Sequence, residues 1–289
     1  MRKQFTDPAG RVEESGSGLA GDQLLASVLT CIEDFYRRMF RTWPGAVNQP
    51  AKGYTLSFSG DTTLSGANHL WPYPPAGLDE AALSEAEAFF RAHRATWSVI
   101  YLEPLFPQAS GLLRRCGYTL RWDAPLLIWE GPPPPTPQNG EAVVVRATTP
   151  QHLAAVRQVM EEAFLSGEDV SRRVVRTAHL NDPEVAHYLV YAGPEPVTCG
   201  TIVRHGDMAS VWNVGTRCGF RRRGYATLLM TTLLRDLATL GCTHSILMAS
   251  PSGEPLYLQL GFRPIGRLRY MGPPDDLTCW WSYGRSQRD

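Results

Sequence analysis

The sequence predicts an α/β (α+β) chain of two tandem modules, each a mixed, mostly antiparallel central sheet flanked by helices. A proline-rich stretch cuts the chain near its middle, and the residues after it alternate between helical and strand periodicity. A constant spacing of 144 residues also lays elements of the first half over those of the second.

The dividing stretch reads Gly131-Pro132-Pro133-Pro134-Pro135-Thr136-Pro137-Gln138-Asn139-Gly140. Prolines at this density lack the amide donors that a helix or a central strand needs, so the segment is a stiff, extended linker. It places one module at 1–130 and the other at 142–289, with 131–141 between them. Each is large enough to enclose its own core.

In the second half, Ala142–Arg146 is a β-branched run suited to an opening strand. Pro150–Phe164 carries Leu153, Val156, Val159, Met160 and Ala163 at helical spacing. A second helix is expected over Val170–Leu180. Three antiparallel strands follow, over His187–Tyr191, Val197–Arg204 and Met208–Val214, the last two joined by His205-Gly206-Asp207. The clearest helix spans Gly224–Leu240, where Ala226, Leu229, Met230, Leu233, Leu234 and Leu237 form one apolar stripe and Gly241 supplies the stop. A strand (Thr243–Ala249), a short helix (Glu254–Leu260) and an antiparallel pair after Gly261-Phe262 complete this half.

The first half shows the same order with a poorer pattern. A long helix is expected near Asp22–Phe40, with strands near Tyr54–Phe58 and Asn68–Trp71 and a helix over Leu78–His93. A strand at Trp97–Glu103, a short helix ending at Cys116 and strands from Gly117 to Trp129 follow. Gly117-Tyr118 lies 144 residues before Gly261-Phe262, and the same spacing sets Leu70 on Val214 and the helix at Leu78 on the one at Gly224. One register matching several elements is the mark of a duplication.

Composition narrows the function. The chain has 289 residues, 43% hydrophobic and 19% charged, which excludes a disordered tail or a coiled coil. Its 28 basic and 28 acidic residues cancel, so no basic excess argues for nucleic acid or a membrane surface. All the bases except Lys3 and Lys52 are arginine, the residue of bidentate anion contacts. Six cysteines are scattered with no CxxC pair or metal-ligand spacing, which reads as free thiols and no metal. The start, Met1-Arg2-Lys3-Gln4, leads into no apolar segment, and no stretch approaches the ~20 residues of a membrane span. A cytoplasmic protein is expected.

The residues that carry chemistry run from Val214 to Thr227, VGTRCGFRRRGYAT, between a strand and the best helix. A helix head offers unpaired N–H groups and the positive end of the dipole, which together hold a phosphate or diphosphate. Gly224 lets backbone approach the phosphates, Ala226 lets the helix seat closely, and Arg221, Arg222 and Arg223 add cationic donors. No GxxxxGK[ST] occurs, and no GxGxxG follows a first strand, which excludes the P-loop and dinucleotide readings.

Arg221-Arg222-Arg223-Gly224-Tyr225-Ala226 resembles the (Gln/Arg)-x-x-Gly-x-(Gly/Ala) signature of the GNAT superfamily of acyl-CoA-dependent N-acetyltransferases. The resemblance covers the second half from about Val143 onward. Arg222 stands where the family usually has glycine, and Cys218 where it commonly has proline. The resemblance implies that amides from Arg222 to Thr227, with Gly224, Tyr225 and Ala226 between them, cradle the diphosphate of acetyl-CoA. It also implies that the edge of the strand at Val214–Thr216 pairs with the pantetheine arm. A second motif, Leu256-Tyr257-Leu258-Gln259-Leu260-Gly261-Phe262, places Tyr257 where the family commonly has a general acid near the coenzyme sulfur. A phenol with pKa near ~10 is protonated at neutral pH and can supply the departing thiolate with a proton.

No base is assigned. The strand before the turn, Met208 to Val214, has no acid, and Glu161, Glu162, Glu168, Asp169 and His179 fit surface charges or caps better. Trp212, Trp280 and Trp281 fit packing. Cys218 is not taken as a nucleophile, since direct amine attack needs no acyl-enzyme. In the first half, Glu80 falls on the Gly224 position, Asp79 precedes it and Leu113 replaces Tyr257, so that half looks like a degenerate copy without coenzyme. The tandem arrangement resembles that of mycothiol synthase. The expected activity is transfer of an acetyl group from acetyl-CoA to a primary amine of a small molecule or peptide. The rivals are a non-catalytic acyl-CoA-binding regulatory module and an interaction protein that keeps only the fold.

Overall fold

The computed structural model describes residues 21–40, 43–75, 77–137, 139–140, 142–164 and 166–274. The first half opens with helix α1 (Gly21–Phe40), strands β1 (Val47–Ala51), β2 (Tyr54–Phe58) and β3 (His69–Pro72), and helix α2 (Glu80–Ala92). Strand β4 (Ser98–Leu102), helix α3 (Ala109–Arg115) and strand β5 (Thr119–Glu130) complete it. The linker forms neither helix nor strand among the described residues.

The second half contains β6 (Val143–Arg146), α4 (Pro150–Phe164) and α5 (Glu168–Val174), then β7 (Val185–Ala192), β8 (Glu195–His205) and β9 (Met208–Thr216). Helix α6 (Tyr225–Thr239), strand β10 (His244–Met248), helix α7 (Glu254–Gln259) and strand β11 (Arg263–Gly272) follow. The spacing of 144 residues superposes the starts of α2 and α6, of α3 and α7, and of β5 and β11 to within one residue.

Three elements differ from expectation. The helix expected over Val170–Leu180 is split: α5 stops at an extended Val175, and a separate 3₁₀ turn covers Thr177–Asn181. Two consecutive β-branched valines, Val174 and Val175, favour that break. Strand β1 has no forerunner in the sequence reading, because an exposed edge strand containing Pro50 shows no alternation. The residues from Gly117 to Trp129 give one long strand, and of the pair expected after Phe262 only β11 lies within the described residues.

The eleven strands of the described residues join one sheet in the order β1-β2-β3-β4-β11-β5-β10-β9-β8-β7-β6. Neighbours are antiparallel except β3/β4 and β9/β10, which are parallel. The closing strands of the two halves are exchanged. β5 pairs with β10 of the second half, β11 pairs with β4 of the first, and the two lie against each other. Ala124 faces Leu268, its own counterpart at the 144-residue spacing, so a local dyad passes through that pair.

Period-2 alternation sends Leu127 and Trp129 of β5 to one face, with α6 and α7, and Leu126 and Ile128 to the other, under α1. Val28, Ile32 and Met39 of α1 cover strands from both halves, including Ile100, Ile246, Leu268 and Val203. Helix α4 buries Leu153, Val156 and Met160 against Leu189 and Cys199. No helix among the described residues is long and apolar enough to cross a membrane.

Candidate active site

β9 and β10 run side by side only from Met208/His244 to Val211/Leu247. β9 continues to Thr216 with β8 on one edge, and its other edge has no strand partner there among the described residues. The parting coincides with a bulge: Asn213 has φ +55°, and pairing jumps from Thr201↔Trp212 to Cys199↔Gly215. Val214 packs toward α6, and the Thr216 hydroxyl lies 2.9 Å from that of Thr198. A 3₁₀ turn at Cys218–Phe220 then carries the chain to Gly224, whose φ of +80° starts α6. That left-handed conformation is one glycine adopts freely.

The first bond of α6 runs from the Leu228 amide to the Gly224 carbonyl, 3.0 Å. The amides from Arg222 through Thr227, including those of Arg223, Gly224, Tyr225 and Ala226, have no acceptor among the described residues. A row of unpaired donors at the positive end of a 15-residue helix is a seat for an anion.

The arginines divide their roles. Arg221 donates from Nε to the Thr216 carbonyl (3.1 Å) and from Nη2 to the Ala163 carbonyl (3.0 Å), fastening the turn to α4. Arg217 bridges Glu162 (2.6 Å) and Glu195 (2.9 Å). Arg223 lies 5.4 Å from the centre of the Phe220 ring. Arg222 and Arg223 have no carboxylate partner among the described residues, so neither guanidinium is neutralised by an ion pair there. Arg222 has φ +62°, which accounts for the glycine common at that position of the signature. This twist and the inward use of Arg221 are invisible in the sequence.

Tyr257 on α7 is buried, packed where a side chain on Gly253 would come within 3.0 Å of its Cε2, with Phe262 edge-on at 5.9 Å. Its hydroxyl hydrogen-bonds to no described residue, and burial raises the phenol above its ordinary value, which keeps it protonated. One apolar cluster holds Tyr257, Val214, Tyr225 and Leu228, so the phenol and the helix head share a face of the sheet.

The acids around the turn are engaged. Glu162 holds Arg217, Glu161 accepts from the Ser171 hydroxyl, and Glu168 accepts from Arg172 Nε (2.7 Å), while Asp169 stands in the exposed first turn of α5. His179 is buried, with Nδ1 3.0 Å from His187 Nε2, and His187 Nδ1 lies 2.8 Å from the Thr201 hydroxyl. The two histidines line a cavity of about 230 Å³ with Arg146 and Asp182. Trp212 stacks on Phe35 of α1 at 3.5 Å and 8°, a contact between halves that sequence spacing cannot show. Trp280, Trp281 and Cys279 lie outside the described residues, and the five cysteines within the described residues are free thiols.

At the matching position of the first half, the Asp79 carboxylate accepts the Ala82 amide at 2.8 Å, and Glu80 follows it. The protein's own carboxylate occupies this helix head, and buried Leu113 stands at the Tyr257 position. Among the described residues no group of three His, Cys, Asp or Glu side chains is placed to hold a metal.

Residues 153–262 match the model of the Acetyltransferase (GNAT) family. Solved structures share the fold over most of the chain. A GCN5-related N-acetyltransferase from Kribbella flavida is 18% identical, with a TM-score of 0.69 over 90% of this chain and 98% of its own. One from Sphaerobacter thermophilus is 18% identical, with a TM-score of 0.60 over 90% of this chain and 96% of its own. A tandem GNAT protein from the clavulanic acid biosynthesis pathway is 15% identical, with a TM-score of 0.54 over 88% of this chain and 96% of its own. No curated protein sequence matches the chain.

Proposed function

We propose that the protein transfers the acetyl group of acetyl-CoA directly to a primary amine, a reading supported by the match of residues 153–262 to the GNAT family model. The observation that carries this is the contrast between helix heads: the amides before α6 are free, and the one at α2 is capped by Asp79. The coenzyme supplies an activated thioester whose sulfur leaves as the amine attacks. The free amides of Arg222–Thr227 and the charges of Arg222 and Arg223 bind its diphosphate. The unpaired edge of β9 at Val214–Thr216 orients the pantetheine arm, and the Tyr257 hydroxyl donates its proton to the departing sulfur, the proton that the nitrogen sheds on becoming an amide restoring the phenol.

Burial pushes the Cys31 and Cys199 thiols up to about 12, far from nucleophilic thiolates, so neither is offered as a covalent relay. Turnover of acetyl-CoA against a panel of amines tests the assignment. The wild type is expected to release CoA only with an acceptor present, and Tyr257→Phe to lower kcat about 100-fold with unchanged CoA affinity. Binding without turnover would assign the chain to acyl-CoA-dependent regulation instead. No calorimetric binding would leave a scaffold.

A further inference from the structure

The stiff linker between the halves ends on the helix head itself. Asn139 donates from Nδ2 to the carbonyl of Arg223 at 3.0 Å, a bond across 84 residues. The same nitrogen lies 3.4 Å from where a Cβ on Gly224 would sit. The Asn139 carbonyl accepts the Ala142 amide at 3.0 Å, which ties the linker down just before β6. A carboxamide nitrogen carries two hydrogens, and the Arg223 carbonyl takes one of them.

We propose that Asn139 is a positioning residue of the coenzyme site. It holds the Arg223–Gly224 peptide so that the Gly224 amide faces the diphosphate, and it sets a further neutral donor beside Gly224. The inference rests on the coenzyme reading above and adds the linker to it. The residue has no counterpart in the signature, because it lies far upstream in sequence.

Calorimetry with CoA on the full chain tests it, comparing the wild type with Asn139→Ala and Asn139→Asp. Asn139→Ala loses a neutral hydrogen bond and is expected to weaken CoA about five-fold. Asn139→Asp keeps the shape but exchanges the donor for a negative charge, so its loss is expected to exceed that of alanine. In turnover, KM for acetyl-CoA should rise in the same order while kcat at saturation stays within two-fold. A purely structural role would lower kcat along with thermal stability. CoA affinities of both variants within two-fold of a binding wild type would overturn the proposal. A wild type that fails to bind CoA would instead remove the coenzyme reading on which it stands.

Discussion

Arg222 holds a left-handed backbone at φ +62°, a conformation that costs a residue with a side chain on the order of 1–3 kcal/mol. Arg222→Gly is therefore expected to stabilise the fold by about 0.5–1 kcal/mol in urea denaturation. It should also weaken CoA several-fold by calorimetry, because it removes one of the two unpaired guanidinium groups at the helix head. Gly224→Glu combines a left-handed backbone with a negative charge at the anion seat and should abolish CoA binding. Its circular dichroism should stay that of the wild type, since the site is exposed. His187 sets a pH dependence of stability. Burial first, then His179 and Arg157, push its imidazole down to about 3 from 6.5. Below pH 6.5 the unfolded chain binds a proton that the folded chain refuses, so stability falls as pH drops from 6.5 toward 3. The slope is about 1.4 kcal/mol per pH unit for this site. His187→Gln should flatten that slope in denaturation curves at pH 7 and pH 5.

Between helices the difference lies in what fills the first turn. Asp79→Ala should cost the first half about 0.5–2 kcal/mol, as the loss of an N-cap does, and leave CoA affinity untouched. A change in CoA affinity in that variant, read by calorimetry, would overturn the reading of this helix head as a self-capped end with no part in coenzyme binding. Helix α6 was legible residue by residue, since an uninterrupted apolar stripe and Gly241 are local signals. The turn proposed to hold the diphosphate could be singled out for the same reason, its residues lying within fourteen consecutive positions. Strand β1 was not, because Asn48, Gln49 and Pro50 on an exposed edge leave no period to read. Nor could Asn139, Phe35 or the inward turn of Arg221 be found, since each acts on residues distant in sequence or through side-chain direction. The apolar runs of β4 and β5 announced buried strands but carry no mark of their neighbours.

At the scale of the molecule, the exchange of β5 and β11 makes the sheet common property. Cleavage at a protease site engineered into Pro132–Pro135 should leave the two fragments co-eluting on size exclusion, with separation only in urea. Separation in native buffer would show that the β5/β11, β4/β11 and β5/β10 pairings are too weak to hold them. Helix α1 adds to the bond by spanning strands of both halves on one face. The dyad at Ala124 and Leu268 has a further consequence for how such a chain can change over time. The half with the capped helix head is free to lose every group that chemistry would need. Its last strand is not free in this way: residues 119–130 form a wall of the neighbour's core, and substitutions there would be felt as lost activity in a domain that does not contain them.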